Sequence, residues 1–410
     1  MNIEKAFRIA KALLLLGPLF LACGCRPAIR FPVQPPAALV KIPADRLPTF
    51  EDDMSAYSLN TAIHESLKFL QRLPDQTLFR FGPDVYTLTD LRESLVAFRK
   101  ILAKGLTGEP LQHAIATTFF VYKSVGFDGH GTVLFTGYYE PVLRARASPS
   151  KDYAYPVYRR PDDWVVIDLS AFGPEFARKR IVGRLTGHRI VPYYTRRQID
   201  TLGSLSNKGY ELFWVSDPIA LFFVHIQGSA KVIFEDGTIR HIGYDGSNGK
   251  PYTSIGKLLA EREKIPKKEV SLQNIQSYLR EHPEERESVL HHNERYVFFR
   301  FVPGGPAGAL DVALTAGRSI ATDLDLFPRA ALAFIQSSRP IINHNGVVAR
   351  WKPFRRFVLN HDTGSAIRGP GRVDVFWGSG AQAEKAAGSM KQNGSLYFLI
   401  RKPKGNPSAP

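Results

Sequence analysis

At 410 residues the chain is long enough for two or three domains and at least one substantial core, which excludes a peptide or a small stapled module. Its 44% apolar and 22% charged residues are ordinary for a globular protein and exclude disorder, collagen-like repeats, coiled coil and a polytopic membrane protein as the main state. Fifty-four Lys and Arg against 38 Asp and Glu give a net charge of +16, which favours nucleic acid, anionic lipid or an acidic polymer as partner without choosing among them.

The N-terminus narrows that choice. Lys5, Arg8 and Lys11 precede an apolar run from Ala12 to Ala22 that is shorter than the ~20 residues of a spanning helix, so residues 1–22 read as a secretory signal peptide. The run ends in Leu21-Ala22-Cys23-Gly24-Cys25, which resembles a bacterial lipobox. Cys23, between two small residues, is the preferred lipidation site; Cys25, followed by bulky Arg26, is the alternative, and an ordinary signal peptide with two free cysteines is the reading without lipid. No cysteine follows Cys25, so the body folds without a disulfide. A secreted, anchored, basic protein has little access to nucleic acid, and the nearest anionic polymer is the cell wall.

Residues 23–50 contain Pro32, Pro35, Pro36 and Pro43 and read as an extended tether. Amphipathic helices follow at Thr61–Leu73 and Asp90–Leu102, the second with Asp90 and Glu93 as a capping box. From Gly131 to Tyr244 the pattern turns to strands: Thr132–Tyr139, Tyr153–Tyr158, and a hairpin Lys231–Glu235 / Thr238–Tyr244 joined by Asp236-Gly237. Asp217-Pro218 starts a short helix, and helices return at Ser254–Glu263 and Ser271–Glu281. The last third alternates short strands (Leu310–Leu314, Ala331–Ile335, Arg356–Asp362, Asp374–Trp377, Ser395–Ile400) with one helix near Ala381–Met390, a density that suggests a small barrel. Pro403–Pro410 reads as a tail.

There is no Walker loop, HExxH, GxSxG or CxxC, which leaves carboxylate chemistry. Asp323, Asp362 and Asp374 each lie near an expected strand end beside small residues. Asp362 and Asp374 are separated by a glycine-rich connection, and strand alternation puts Asp374 on the face of Phe376, away from Val375 and Trp377. An acid beside apolar rings and a second carboxylate resists ionising, as a general acid must. Spacing alone leaves this open against a turn cap and a strand end. His361 and Asp362, being consecutive on a strand, point to opposite faces and make a poor metal pair; His225 reads as a packed or hydrogen-bonded histidine. Tyr138, Tyr139, Tyr193, Tyr194, Tyr244 and Tyr252 combine stacking faces with polar tips suited to a sugar, or serve as core.

Phe135-Thr136-Gly137-Tyr138-Tyr139-Glu140-Pro141, Pro192–Arg196, Asp217–Phe223 with His225-Ile226-Gln227-Gly228-Ser229, Gly243-Tyr244 with Asn248–Gly256, Tyr296–Phe299 and Asp362–Gly378 together resemble the membrane-bound lytic murein transglycosylase A family. Ser365 and Ala230 stand where the family pattern has glycine, and His361 where it has another polar residue. The resemblance implies a mostly β architecture with flanking helices: a double-psi β-barrel (51–134 and 292–402, its three-aspartate part about 305–402) and an inserted β-barrel-like domain (135–291). It implies an exotransglycosylase, a lyase that cleaves the β-1,4 bond between N-acetylmuramic acid and N-acetylglucosamine and leaves 1,6-anhydromuramyl ends, with no metal or organic cofactor. It places Asp374 as general acid and base, Asp362 in support, and Thr136, Tyr138, Tyr139, Gln227, Gly228, Ser229 and Asp323 at the glycan. Its location would be the periplasmic side of the outer membrane, with wall-remodelling proteins as partners. A hydrolase using two Asp and water, and a non-catalytic wall-binding lipoprotein, are the alternatives.

Overall fold

The structure is a computed structural model and describes residues 37–177, 179–344 and 347–403. The signal segment, Cys23, the first half of the tether and most of the tail lie outside these residues.

The chain is mostly β and contains a closed barrel. Six strands form its ring, in the order Val133–Glu140, Lys391–Arg401, Leu332–Ile342, Val348–Asp362, Ser319–Ala321 and Arg372–Ser379, the last pairing back to the first. Two neighbours in the ring are parallel, Ser319–Ala321 with Val348–Asp362 and Arg372–Ser379 with Val133–Glu140. Residues Leu332–Ile335 are buried one after another, because these strands are covered on both faces. The outer cover comes from helices Ala56–Gln71 and Leu88–Ala103, whose Leu59, Ile63, Leu91, Leu95 and Phe98 join the barrel's core. Phe98 meets Phe357 at 4.7 Å between ring centroids.

Several expectations shift. The capping box of the second helix is Thr87 with Asp90, not Asp90 with Glu93. The tether does not extend to residue 50: Leu39–Ile42 pairs with Phe119–Ser124 beside the barrel, and buried Phe50 packs edge-on against Phe334 at 4.9 Å. Prolines mark where the chain cannot be helical, and the apolar Leu39 and Phe50 among them still find core. Leu310–Leu314 is not a strand. Asp311 adopts a positive φ of 55° and the backbone forms only an isolated bridge between Ala307 and Ala313.

A second sheet is inserted between barrel strands. Its order is Val297–Val302, Ile239–Ser247, Ser229–Phe234, Val142–Arg146, Glu211–Val215 and Tyr155–Tyr158. The edge strands are not hydrogen-bonded to each other, yet Val157 and Phe299 share one apolar core, so the sheet curls without closing. The boundaries differ from the expected 135 and 291: Val133–Glu140 belongs to the barrel and Val297–Val302 to the insert sheet. Both are apolar strands whose sheet is chosen by distant partners. The hairpin through Asp236-Gly237 forms as expected, and Asp217 caps helix Pro218–Gln227 by accepting from the Ile219 and Ala220 amides at 2.8 and 3.1 Å.

Glu140, buried where the chain leaves the barrel, joins the two parts. One oxygen meets His241 Nδ1 of the insert hairpin at 2.7 Å, and the other accepts from Ser379 of the barrel.

The Ser319–Ala321 strand is tied down by its predecessor. Arg318 is fully buried and donates to both Asp52 oxygens at 2.6 and 2.9 Å, to Ser58 Oγ, and to the Ser55 and Phe357 carbonyls. Removing one partner of a buried pair strands the other charge. Asp52→Ala is therefore expected to lower the unfolding free energy by roughly 3–5 kcal/mol, whereas Glu51→Ala, which loses an exposed pair with Arg355, changes it by less than about 1 kcal/mol. Urea denaturation of the two variants in parallel measures the contrast.

Candidate active site

Asp362 and Asp374, separated in sequence, are brought together through a third strand. Ala321 pairs with Asp362 on one side and Asp374 on the other, and Asp374 pairs in turn with Thr136. Asp362, Ala321, Asp374 and Thr136 thus form one row across four strands, with the two aspartate backbones two strand spacings, ~9.5 Å, apart. The small Ala321 between them leaves room above the sheet. A register shift between Ile320 and Ala321 places this residue against Asp362 rather than His361.

Alternation does the rest. Two residues beyond Thr136 and Asp374, Tyr138 and Phe376 lie on the same face with rings 5.2 Å apart, and they cluster with Ala321 and Leu314. Val373 and Val375 point into the barrel core. His361, on the opposite face from Asp362, is wholly buried between Ser66 Oγ (2.8 Å) and Ser319 Oγ (2.9 Å), and burial lowers its pKa to about 3.

The two carboxyls have different surroundings. Asp374 receives the Thr136 hydroxyl on Oδ1, with Arg372 Nη2 3.6 Å away, and no hydrogen bond reaches its Oδ2 among the described residues. Burial raises its pKa above the ordinary 3.8, against the opposing pull of the Arg372 charge and the Thr136 hydrogen bond. Asp362 is also raised by burial, to about 6, although its Oδ1 accepts the Ala309 and Thr363 amides at 2.8 and 2.9 Å. Burial first, then the charge of Asp362, pushes the pKa of the Tyr138 hydroxyl well up.

Asp374 and Asp362 open into a cavity of about 200 Å³ between the barrel and the insert, lined also by Tyr138, Gln227, Tyr252 and Arg295. It runs into a second space of about 390 Å³ that shares Asp362, Gln227 and Arg295 and adds Gly228, Ser229 and Tyr244. Gln227 and Gly228 sit where helix Pro218–Gln227 ends. Gly228 takes a left-handed φ of 82°, which turns the chain directly into the Ser229–Phe234 strand. Gln227 Oε1 accepts the Tyr139 amide at 3.1 Å, which fixes that side chain to the barrel.

Two expected binding residues are placed elsewhere. Tyr139 turns its ring the other way, against Ala383 and Ala387, because alternation opposes it to Tyr138. Asp323 does not line the cavity; its carboxylate accepts the Gly369 amide at 2.8 Å and meets Arg368 at 3.4 Å, holding the connection between the two aspartate strands. Tyr193 is core, bonded to Asp163 at 2.9 Å, while Tyr244 and Tyr252 line the groove. His225 is buried, as expected of a hydrogen-bonded histidine, and also forms part of the wall. The sequence reading missed Arg372 and Arg295. Arg372 could have been found by counting two residues back from Asp374 on the same strand face; Arg295 carries no local signal.

The pattern described as the MltA specific insert domain matches residues 134–300, and the 3D domain matches residues 318–400. The chain is 32% identical over 285 residues to membrane-bound lytic murein transglycosylase A of Escherichia coli K12, covering 69% of each protein, and 30% identical to that of Vibrio cholerae, covering 67% of each. The chain belongs to the membrane-bound lytic murein transglycosylase A family. The crystal structure of a membrane-bound lytic murein transglycosylase from Agrobacterium tumefaciens matches with a TM-score of 0.72 at 32% identity, over 89% of this chain and 98% of that one. In this family member, then, the row of four residues lies on the barrel and the groove's other wall comes from the insert.

Between its ordinary pKa and about 6, Asp362 holds a proton in the folded chain that the unfolded chain releases, so its contribution to stability falls as pH rises from about 4 to about 6. Asp362→Asn should flatten that fall. Unfolding free energies at pH 4, 5 and 6 for both proteins test this, and parallel slopes would refute it.

Proposed function

We propose that this protein is a peptidoglycan lytic transglycosylase in which Asp374 is the single proton-transfer residue. The observation that carries this is the surroundings of Asp374: a raised carboxyl, open at Oδ2, beside two apolar rings and facing a groove between two domains. The Thr136 hydroxyl is a rotor that can donate to a carboxylate or accept from a carboxylic acid, so it suits a residue that works in both states. The two amides on Asp362 can only donate and suit a lasting acceptor.

Protonated Asp374 gives its proton to the glycosidic oxygen as the bond from C1 of the muramic acid breaks, with positive charge building as an oxocarbenium ion. The Asp374 carboxylate then takes the proton of the C6 hydroxyl while that oxygen bonds to C1. The product is a 1,6-anhydromuramyl end, and no water is consumed. Asp362 stabilises the developing positive charge, Tyr138 and Phe376 provide an apolar surface, and Gln227 and Ser229 offer polar groups to acetamido and hydroxyl substituents. The relatives' names, lytic murein transglycosylase A, support this substrate and reaction class. Their description as membrane-bound fits lipidation of Cys23 and placement on the periplasmic face of the outer membrane, which we propose with it.

The pKa of Asp362 near 6 favours one other reading, a hydrolase in which this carboxylate activates water. Mass spectrometry of products from purified sacculi separates the two, since the anhydro product is lighter by one water. Asp374→Asn is expected to abolish release, a loss of at least about 10³-fold, with sacculus binding retained; an active variant removes Asp374 from the role.

A further inference from the structure

We propose that the groove contains a carboxylate-recognition subsite formed by Arg295 with the His225 Nε2–H, taking an acidic group carried by the glycan. The proposal rests on the reading of the groove as a peptidoglycan site and names the part of the substrate that this wall selects.

The argument begins with Arg196, which is buried and carries three of its donors into one wall. Its Nε donates to the Asn293 carbonyl at 3.0 Å, Nη2 to the Arg295 carbonyl at 2.6 Å, and Nη1 to His225 Nδ1 at 2.9 Å. A guanidinium can only donate, so Nδ1 is the acceptor and the histidine proton resides on Nε2. Burial and the Arg196 charge keep this ring neutral. One ring face is covered by Phe299 and another contact comes from Tyr296, with centroids at 5.5 and 4.3 Å. The Nε2–H edge remains, in a residue 95% buried that lines the cavity, and it has no partner among the described residues. A buried donor left unpaired is costly unless a ligand supplies the acceptor.

Arg295 lines both parts of the groove, as His225 does. Its guanidinium makes one hydrogen bond, to the Lys250 carbonyl at 3.2 Å, and no carboxylate lies within 4 Å of it among the described residues. The other arginines of this groove are engaged: Arg300 with Asp311 at 2.5 Å and Arg368 with Asp323 and Asp325. A guanidinium with spare donors next to a fixed N–H matches a planar two-oxygen acceptor. Peptidoglycan offers two such groups, the lactyl carboxylate of a muramic acid without its peptide and the carboxylates of a stem peptide.

The test measures binding by calorimetry in the Asp374→Asn background, where turnover plays no part. The ligands are a muramic-acid-containing tetrasaccharide with free lactyl carboxylates, the same sugar with lactyl carboxamides, the peptide-bearing form, and chitotetraose. We expect a carboxylate-bearing form to bind about tenfold tighter than the carboxamide. Arg295→Gln should erase that preference, with chitotetraose affinity falling by less than that of the carboxylate-bearing form. A preference for the free lactyl form assigns the subsite to the lactyl group, and a preference for the peptide-bearing form assigns it to the stem peptide. Equal binding of the free lactyl, carboxamide and peptide-bearing forms, or loss of chitotetraose binding together with the rest, overturns the proposal. Failure of the reaction itself shows separately, as wild-type protein that releases nothing from sacculi.

Discussion

The site depends on one three-residue strand. Ser319–Ala321 is the bridge through which Asp362 and Asp374 become lateral neighbours, and without it their strands would not be in register. So short a strand has little pairing of its own. It is held because Arg318 before it is clamped by Asp52 and the Phe357 carbonyl, and because Ile320 is wholly buried in the barrel core. The segment around Asp52 is thus part of what positions the carboxyls, even though none of its described residues lines the groove.

Closure of the barrel supplies the second condition. Parallel pairing of Arg372–Ser379 with Val133–Glu140 puts Thr136 opposite Asp374 and Tyr138 opposite Phe376, so a hydroxyl and one of the two rings arrive from a strand more than 200 positions away in the chain. Desolvation by these neighbours outweighs the nearby Arg372 charge, and the carboxyl retains its proton more readily than an exposed aspartate. The arginine then limits how far the shift can go, which suits the proposed role of a group that also releases its proton.

Much of this was legible in the residues. Alternation correctly separated Asp374 and Phe376 from Val375 and Trp377, and His361 from Asp362, because side-chain period in a strand is a local property. The same rule read backwards would have separated Tyr138 from Tyr139 and found Arg372. What could not be read is register. The bulge at Ile320, the sheet that Val297–Val302 joins, and the arrival of Arg295 beside His225 are all set by partners distant in sequence. Asp323 misled for a related reason: an aspartate beside small residues near a strand end looks the same whether it meets a ligand or ties the amides of a distant loop.

Glu140 has a mechanical consequence. It is buried at the point where the chain crosses from barrel to insert, and it grips His241 on one side and Ser379 on the other. Jaws pinned at their root in this way would keep a set gap, so that a polymer would be sorted by girth at the mouth before any bond is strained. Selection by calibre would precede chemistry, and the molecule would behave as a gauge rather than a clamp.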